Sequence, residues 1–269
     1  MYSIINGEFV VKNEAAILIS DLSIQRGFGI FDFFRTVNYN LVFLEDHLQR
    51  FYFSASEMKM NVGYEPGELK QLIQQLIDKN KIPDSGIRIT LTGGYSEDGY
   101  TPAKSNLLIT QKPFTFNPES FNKGIKLITF QHQRQLPQVK TIDYLMAIHL
   151  QNFIKENNAD DVLYFNQNEI TECPRCNFFI VTKNEEVITP SNNILKGITR
   201  KKILDFSEFN VKEGIISPAD ILASGEAFIS STTKNILPVL EINGQIIADG
   251  KPGKMTQKIY EHLISIKEK

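Results

Sequence analysis

Residues 169–200 read EITECPRCNFFIVTKNEEVITPSNNILKGITR, and the reading of the other residues follows from them. Glu172 places a carboxylate at the end of a short run with strand character. Arg175 and two cysteines, Cys173 and Cys176, stand beside it. Two short apolar runs follow, around 177–182 and 186–189, with a polar turn between them. Gly197-Ile198-Thr199-Arg200 then opens a helix. A glycine before a helix start leaves backbone N–H groups exposed at the positive end of the helix dipole, which suits a phosphate.

Two further stretches give this one its meaning. Upstream, Lys140 sits in QLPQVKTIDYL, just ahead of a helix that the apolar spacing predicts from about Ile142 to Lys155. Downstream, Ser230-Ser231-Thr232-Thr233 supplies four hydroxyls in a row after a strand. A lysine at a helix start is ordinarily just solvated; what distinguishes Lys140 is its company. An amine, a carboxylate and two clusters of hydroxyl or N–H donors are what a phosphorylated aldehyde cofactor needs.

The N-terminal half alternates strands and helices. Ser3–Ile5 and Glu8–Val10 flank Asn6-Gly7, a two-residue hairpin signal, and a second hairpin is predicted over 31–43, turning at Asn38-Tyr39-Asn40. Helices are predicted from about Glu45 to Met58 and Gly67 to Asp78, the second with Leu69, Leu72, Ile73, Leu76 and Ile77 on one face. Strands are expected at 87–92 and 106–111, with Gly93, Gly94 and Gly99 marking a flexible loop between them. The aperiodic stretch 114–122 reads as a linker. Strands then recur near 125–130, 162–165, 170–172, 227–230 and 239–242. Helices are expected over 199–206, after the Ser217-Pro218 cap, and from Thr256 to about Ile266. The whole is an α/β (α+β) chain of two domains, 1–113 and 123–269.

Composition narrows the function classes. The chain is 42% hydrophobic and 22% charged with a formal net charge of −2, so it has no basic surplus for nucleic acid or a membrane surface. No apolar run approaches the ~20 residues that span a bilayer, and the start, MYSIINGEFVV, has neither basic nor apolar leader character. A single C-x-x-C without neighbouring histidines argues for two reduced thiols in a cytoplasmic protein rather than for a metal site.

Taken together, the motifs resemble the branched-chain and D-amino-acid aminotransferase family, the fold-type IV pyridoxal-phosphate enzymes, which also include aminodeoxychorismate lyase. The resemblance spans nearly the whole chain. It rests on His47-Leu48-Gln49-Arg50, Lys140 to Tyr144-Leu145, and Thr171-Glu172 to Asn177. Thr189-Pro190, Ile194 to Arg200, Ser230–Thr233, Pro238-Val239 and Ile242-Asn243-Gly244 complete it. It implies a small N-terminal α/β domain and a larger, β-barrel-like α/β C-terminal domain. It also implies roles for pyridoxal 5′-phosphate. Lys140 would hold the cofactor as a Schiff base and shuttle a proton, and Glu172 would pair with the ring nitrogen. Arg50, the Ile198 and Thr199 N–H groups behind Gly197, Ser231 and Thr232 would hold the phosphate. Leu195 would pack on the ring, and Tyr144 would donate to its hydroxyl. A homodimer is implied, with sites at the subunit interface and Arg26 reaching toward the neighbour's pocket.

Departures from the family pattern bear on the substrate. The block usually written Gly-Asp-Gly-Val-Phe-Glu is here Gly27-Phe28-Gly29-Ile30-Phe31-Asp32, and Arg26 replaces an aromatic residue before it. Arg175 stands where a small or polar residue is usual, and the Arg-x-His of familiar D-amino-acid enzymes is absent from residues 93–100. Arg26 and Arg175 are therefore the expected substrate carboxylate partners. The expected activity is transamination between a D-amino acid and a 2-oxo acid such as 2-oxoglutarate. The alternatives are aminodeoxychorismate lyase, a branched-chain L-amino-acid aminotransferase, and a cofactor-binding protein without turnover.

Overall fold

The computed structural model describes every residue except Pro118, Glu268 and Lys269. The chain forms two compact units. Unit 1 is Met1–Thr115 with Val139–Asp143, and unit 2 is Phe116–Gln138 with Tyr144–Lys269.

Unit 1 contains β1 (Tyr2–Ile5), β2 (Glu8–Val11), α1 (Leu22–Arg26), β3 (Gly29–Val37), β4 (Asn40–Leu41), α2 (Leu44–Glu57), α3 (Pro66–Asn80), β5 (Ser85–Thr92) and β6 (Asn106–Pro113). Its six strands form one antiparallel sheet in the order β2-β1-β6-β5-β3-β4. The first hairpin turns where the sequence predicts, with Asn6 at φ 50° and Gly7 at 90°. Both central residues of a type I′ turn need such angles, and that turn matches the twist of the strands it joins. α3 starts on Pro66 with a capping box between Glu65 and Glu68. Leu48, Phe51 and Ala55 of α2 and Leu69, Ile73, Leu76 and Ile77 of α3 lie in one core. Ile4, Ile30, Phe34, Ile87, Ile89, Leu91, Leu107 and Ile109 fill it from the sheet side.

Unit 2 contains α4 (Glu119–Lys123), β7 (Ile125–Gln131), α5 (Leu145–His149), α6 (Gln151–Glu156), β8 (Asp161–Asn166), β9 (Glu169–Ile170), β10 (Glu172–Cys173), β11 (Cys176–Val181) and β12 (Val187–Pro190). It continues with α7 (Ile198–Leu204), β13 (Val211–Gly214), α8 (Pro218–Ala223), β14 (Glu226–Ser231), β15 (Asn235–Ile242), β16 (Gln245–Ile246) and α9 (Lys254–Lys267). The mixed sheet runs β13-β12-β11-β14-β15-β7-β8-β9, with β10 on β11 and β16 on β15. β11 is buried at all six positions. Cys176, Phe178 and Ile180 face one core, and Phe179 and Val181 face a second that α7 and α9 cover. Period two sends alternate residues to opposite faces, so a strand covered on both sides reads as a continuous apolar run. No helix among the described residues is long and apolar enough to cross a membrane.

Three expectations are corrected. The helix expected over 142–155 starts at Leu145 and breaks at Leu150 into α5 and α6. Lys140 precedes it in an extended segment, because the Lys140 carbonyl and the Ile142 N–H are engaged by the backbone of β3. Arg26 ends α1, a short helix that the sequence reading did not predict. Part of the stretch 114–122 is α4, whose Phe121 is buried in the core under α9, while Pro118 lies outside the described residues.

Phe51 is fully buried and meets Tyr52 edge-on, with ring centroids 6.0 Å apart. Phe51→Ala should destabilise the protein by about 3–5 kcal/mol, measured by urea unfolding. A loss below about 1 kcal/mol would contradict this description of the core.

Candidate active site

In unit 1 the candidate residues collect around β3. Asp32 is fully buried, and its Oδ2 accepts Arg50 Nε at 2.8 Å. Its Oδ1 accepts Arg50 Nη2 at 2.8 Å and stands 2.8 Å from His47 Nδ1. His47 and Arg50 lie three residues apart on α2, on one helix face, and so reach the same carboxylate. Burial would raise the Asp32 carboxyl, but Arg50 and His47 outweigh it and hold it well below the usual carboxylate range. Burial lowers the His47 pKa against the pull of Asp32, with Arg50 and Lys140 lowering it further. A neutral His47 donating from Nδ1 to an ionised Asp32 satisfies both groups.

The Lys140 segment runs along β3. Phe31 N–H donates to the Lys140 carbonyl at 2.9 Å and Ile142 N–H to the Gly29 carbonyl at 3.0 Å. Lys140 Nζ lies 4.7 Å from the centre of the Phe31 ring. Arg88, on β5, places its guanidinium carbon 3.8 Å from the centre of the same ring. Arg88 pairs in register with Phe33, which sets it on the sheet face that carries Phe31. The sequence reading did not select Arg88; its signal was the alternation of β5, where it is the one exposed residue in a buried run. Arg26 is exposed on α1, with Nη1 donating to the Gln25 carbonyl at 3.0 Å.

In unit 2 the β10–β11 hairpin holds Glu172 opposite Asn177. Glu172 is buried; its Oε1 accepts Arg134 Nε and its Oε2 accepts the Leu195 N–H, both at 2.9 Å. Arg134 is a second residue that the sequence reading passed over. Asn177 Nδ2 donates to the Leu195 carbonyl at 2.7 Å, so the hairpin fixes the 195–197 turn from both sides. Gly197 caps α7 without a side-chain bond, and a Cβ there would stand 2.0 Å from Asn177 Oδ1, which only glycine avoids. Ile198 and Thr199 are buried at the first turn. At the end of β14, Ser230 Oγ is buried without a partner among the described residues. Ser231 Oγ accepts the Lys234 N–H at 3.1 Å, and Thr232 is half-buried. Tyr144 is the residue before α5 and is half-buried.

Arg175 is exposed at the hairpin tip, its Nη2 4.0 Å from Asp161 Oδ2, to which Lys234 Nζ donates at 3.1 Å. Burial pushes both thiols up, Cys173 most. The described residues contain no cluster of three or more His, Cys, Asp or Glu side chains placed to hold a metal.

The sequence pattern described as amino-transferase class IV matches residues 29–242. A D-alanine aminotransferase of Bacillus licheniformis is 29% identical over 275 residues, 98% of this chain and 96% of that protein. One from Staphylococcus haemolyticus is also 29% identical, over 96% of this chain and 94% of that protein. The solved Escherichia coli branched-chain amino acid aminotransferase superposes with a TM-score of 0.92 at 22% identity, covering 99% of this chain and 94% of that one. The branched-chain aminotransferase of Thermoproteus uzoniensis, solved with norvaline, gives 0.88 at 25% identity, covering 99% and 94%.

The pKa shifts predict how stability depends on pH. The unfolded chain binds a proton at His47 near its ordinary value of about 6.5, while the folded protein resists it. Stability present above that pH is therefore lost as pH falls, and Asp32 adds a second loss below about 4. The melting temperature should drop between pH 7.5 and 5, and His47→Gln should flatten that drop. An unaltered slope in His47→Gln would contradict the assignment.

Proposed function

The chain belongs to the class IV aminotransferases, and from that premise we propose that it moves an amino group between a D-amino acid and a 2-oxo acid. D-Alanine or D-glutamate with 2-oxoglutarate is the expected pair, and pyridoxal 5′-phosphate is the cofactor. Near full-length similarity to D-alanine aminotransferases is the observation that carries this reading.

The donor set fits the cofactor. Glu172 is a buried carboxylate held at both oxygens, and a carboxylate oxygen can accept a further donor. Ser230 Oγ is a buried hydroxyl without a partner among the described residues, next to the hydroxyls of Ser231 and Thr232. Gly197 leaves the start of α7 without a side-chain cap. When bound, the cofactor supplies an aldehyde that condenses with amines and a ring that withdraws electrons.

Lys140 would hold the cofactor through its amine and would carry the proton to and from the substrate Cα. Glu172, oriented by Arg134, keeps the proton on the ring nitrogen. Arg50, oriented by Asp32, would be the cation on the phosphate. The Ile198 and Thr199 N–H groups, Ser231 and Thr232 would be further phosphate donors, Leu195 would pack on the ring and Tyr144 would donate to its hydroxyl. Arg88, sharing the Phe31 ring with Lys140, joins Arg26 and Arg175 as a partner for the substrate carboxylate. A homodimer suits the exposed apolar side chains of Leu18, Ile19, Ile24 and Tyr100. Two buried free thiols suit the reducing cytoplasm.

The structural likeness to branched-chain aminotransferases favours a second reading, with L-leucine or L-valine as donor. A panel of D- and L-amino acids with 2-oxoglutarate separates the two. The expected result is product from D-alanine and D-glutamate and little from L-leucine; the reverse order would replace the first reading by the second. Arg88→Ala should raise the KM for D-glutamate by roughly tenfold to a hundredfold. An unchanged KM would remove Arg88 from the carboxylate site.

A further inference from the structure

Asp21 carries a carboxylate that is fully buried and pairs with no cation among the described residues. Its Oδ1 accepts the Ser23 N–H at 2.8 Å. Its Oδ2 accepts the Thr92 hydroxyl at 2.7 Å and Asn106 Nδ2 at 2.8 Å. All three donors are neutral. A buried carboxylate is costly to keep, so one held only by neutral donors calls for a reason. Asparagine has the same shape but one acceptor oxygen, and its NH2 would face a donor.

The three donors mark what the carboxylate joins. Ser23 lies in the first turn of α1, Thr92 ends β5 and Asn106 begins β6. The loop of residues 93–105 therefore leaves and returns on one side chain. Asn6 Nδ2 donates to Asn106 Oδ1 at 2.9 Å and adds the β1–β2 turn. Backbone bonds continue the seam, from Leu22 N–H to the Gly94 carbonyl at 3.0 Å and from Ser96 N–H to the Ser20 carbonyl at 3.1 Å.

The far ends of the two segments also meet. Gly99 has φ +67°, and a Cβ on it would stand 2.5 Å from Gln25 Oε1 and 3.8 Å from Arg26 Nη2. Asp98 stiffens the loop there by accepting the N–H groups of Tyr100 and Thr101 and the hydroxyls of Ser96 and Thr101. α1 has five residues, too few to hold a helix without its caps. Asp21 supplies the N-cap, and Gly27, in the left-handed conformation, the C-cap.

We infer that Asp21 is a positioning residue for substrate recognition. It fixes α1 against the 93–105 loop, so that Arg26, the last residue of α1, presents its guanidinium in one orientation to the amino acid carboxylate. The inference rests on the carboxylate role proposed above for Arg26.

The test is a double-mutant cycle on the cofactor-loaded enzyme, with D-glutamate and 2-oxoglutarate. Asp21→Asn should raise the KM for D-glutamate about tenfold and leave kcat within about twofold. The cofactor absorbance should be unchanged, and amide hydrogen exchange should quicken over 20–26 and 93–105. In an Arg26→Ala background Asp21→Asn should add nothing further to KM. Thr92→Val, which removes one donor, serves if Asp21→Asn folds poorly. Gly99→Ala, at the other end of the seam, should reproduce the rise in KM. A lowered melting temperature with parental KM would make Asp21 merely structural and overturn the inference. So would a full KM effect of Asp21→Asn in the Arg26→Ala background, even where Arg26→Ala itself raises KM. If Arg26→Ala alone keeps the parental KM, the Arg26 reading fails and takes this inference with it.

Discussion

Two backbone hydrogen bonds hold the Lys140 segment to β3, from Phe31 N–H to the Lys140 carbonyl and from Ile142 N–H to the Gly29 carbonyl. They place the amine over Phe31 by backbone geometry, which a side-chain change elsewhere does not easily disturb. The next residue along β3, Asp32, points to the other face and takes Arg50 and His47 from α2. One strand thus presents an aromatic platform on one side and a buried ion cluster on the other. The cluster ties α2 to β3 through charge-assisted bonds, and the apolar stripe of α2 packs beside it.

In unit 2 the same logic runs through the β10–β11 hairpin. Glu172 is costly to bury, and the Arg134 guanidinium and the Leu195 N–H offset that cost. Asn177, across the hairpin, takes the Leu195 carbonyl, so the Glu172 carboxylate and the turn before α7 are set by neighbouring residues of one short hairpin.

Much of the fold was legible because its signals are local. Asn6-Gly7, the stripe of α3 and the Ser217-Pro218 cap each act within a few residues, and each element formed where expected. The helix after Lys140 began late because its first residues bond to β3 instead, a contact more than 100 residues away in sequence that no local pattern reveals. α1 was missed for a related reason: a five-residue helix has too little apolar period to detect, and its caps supply what its length cannot. Among the candidate site residues, motifs led to Lys140, Arg50 and Glu172. Arg88 and Arg134 were passed over because one stands alone on a strand and the other in an aperiodic loop, and their meaning comes from the Phe31 ring and the Glu172 carboxylate.

The proposed reaction depends on Lys140 being the amine that takes the cofactor. The direct measurement is borohydride reduction of the protein with pyridoxal 5′-phosphate, followed by peptide mapping. A single pyridoxyl modification is expected on the peptide containing Lys140. Modification of another lysine, with Lys140 unlabelled, would contradict it.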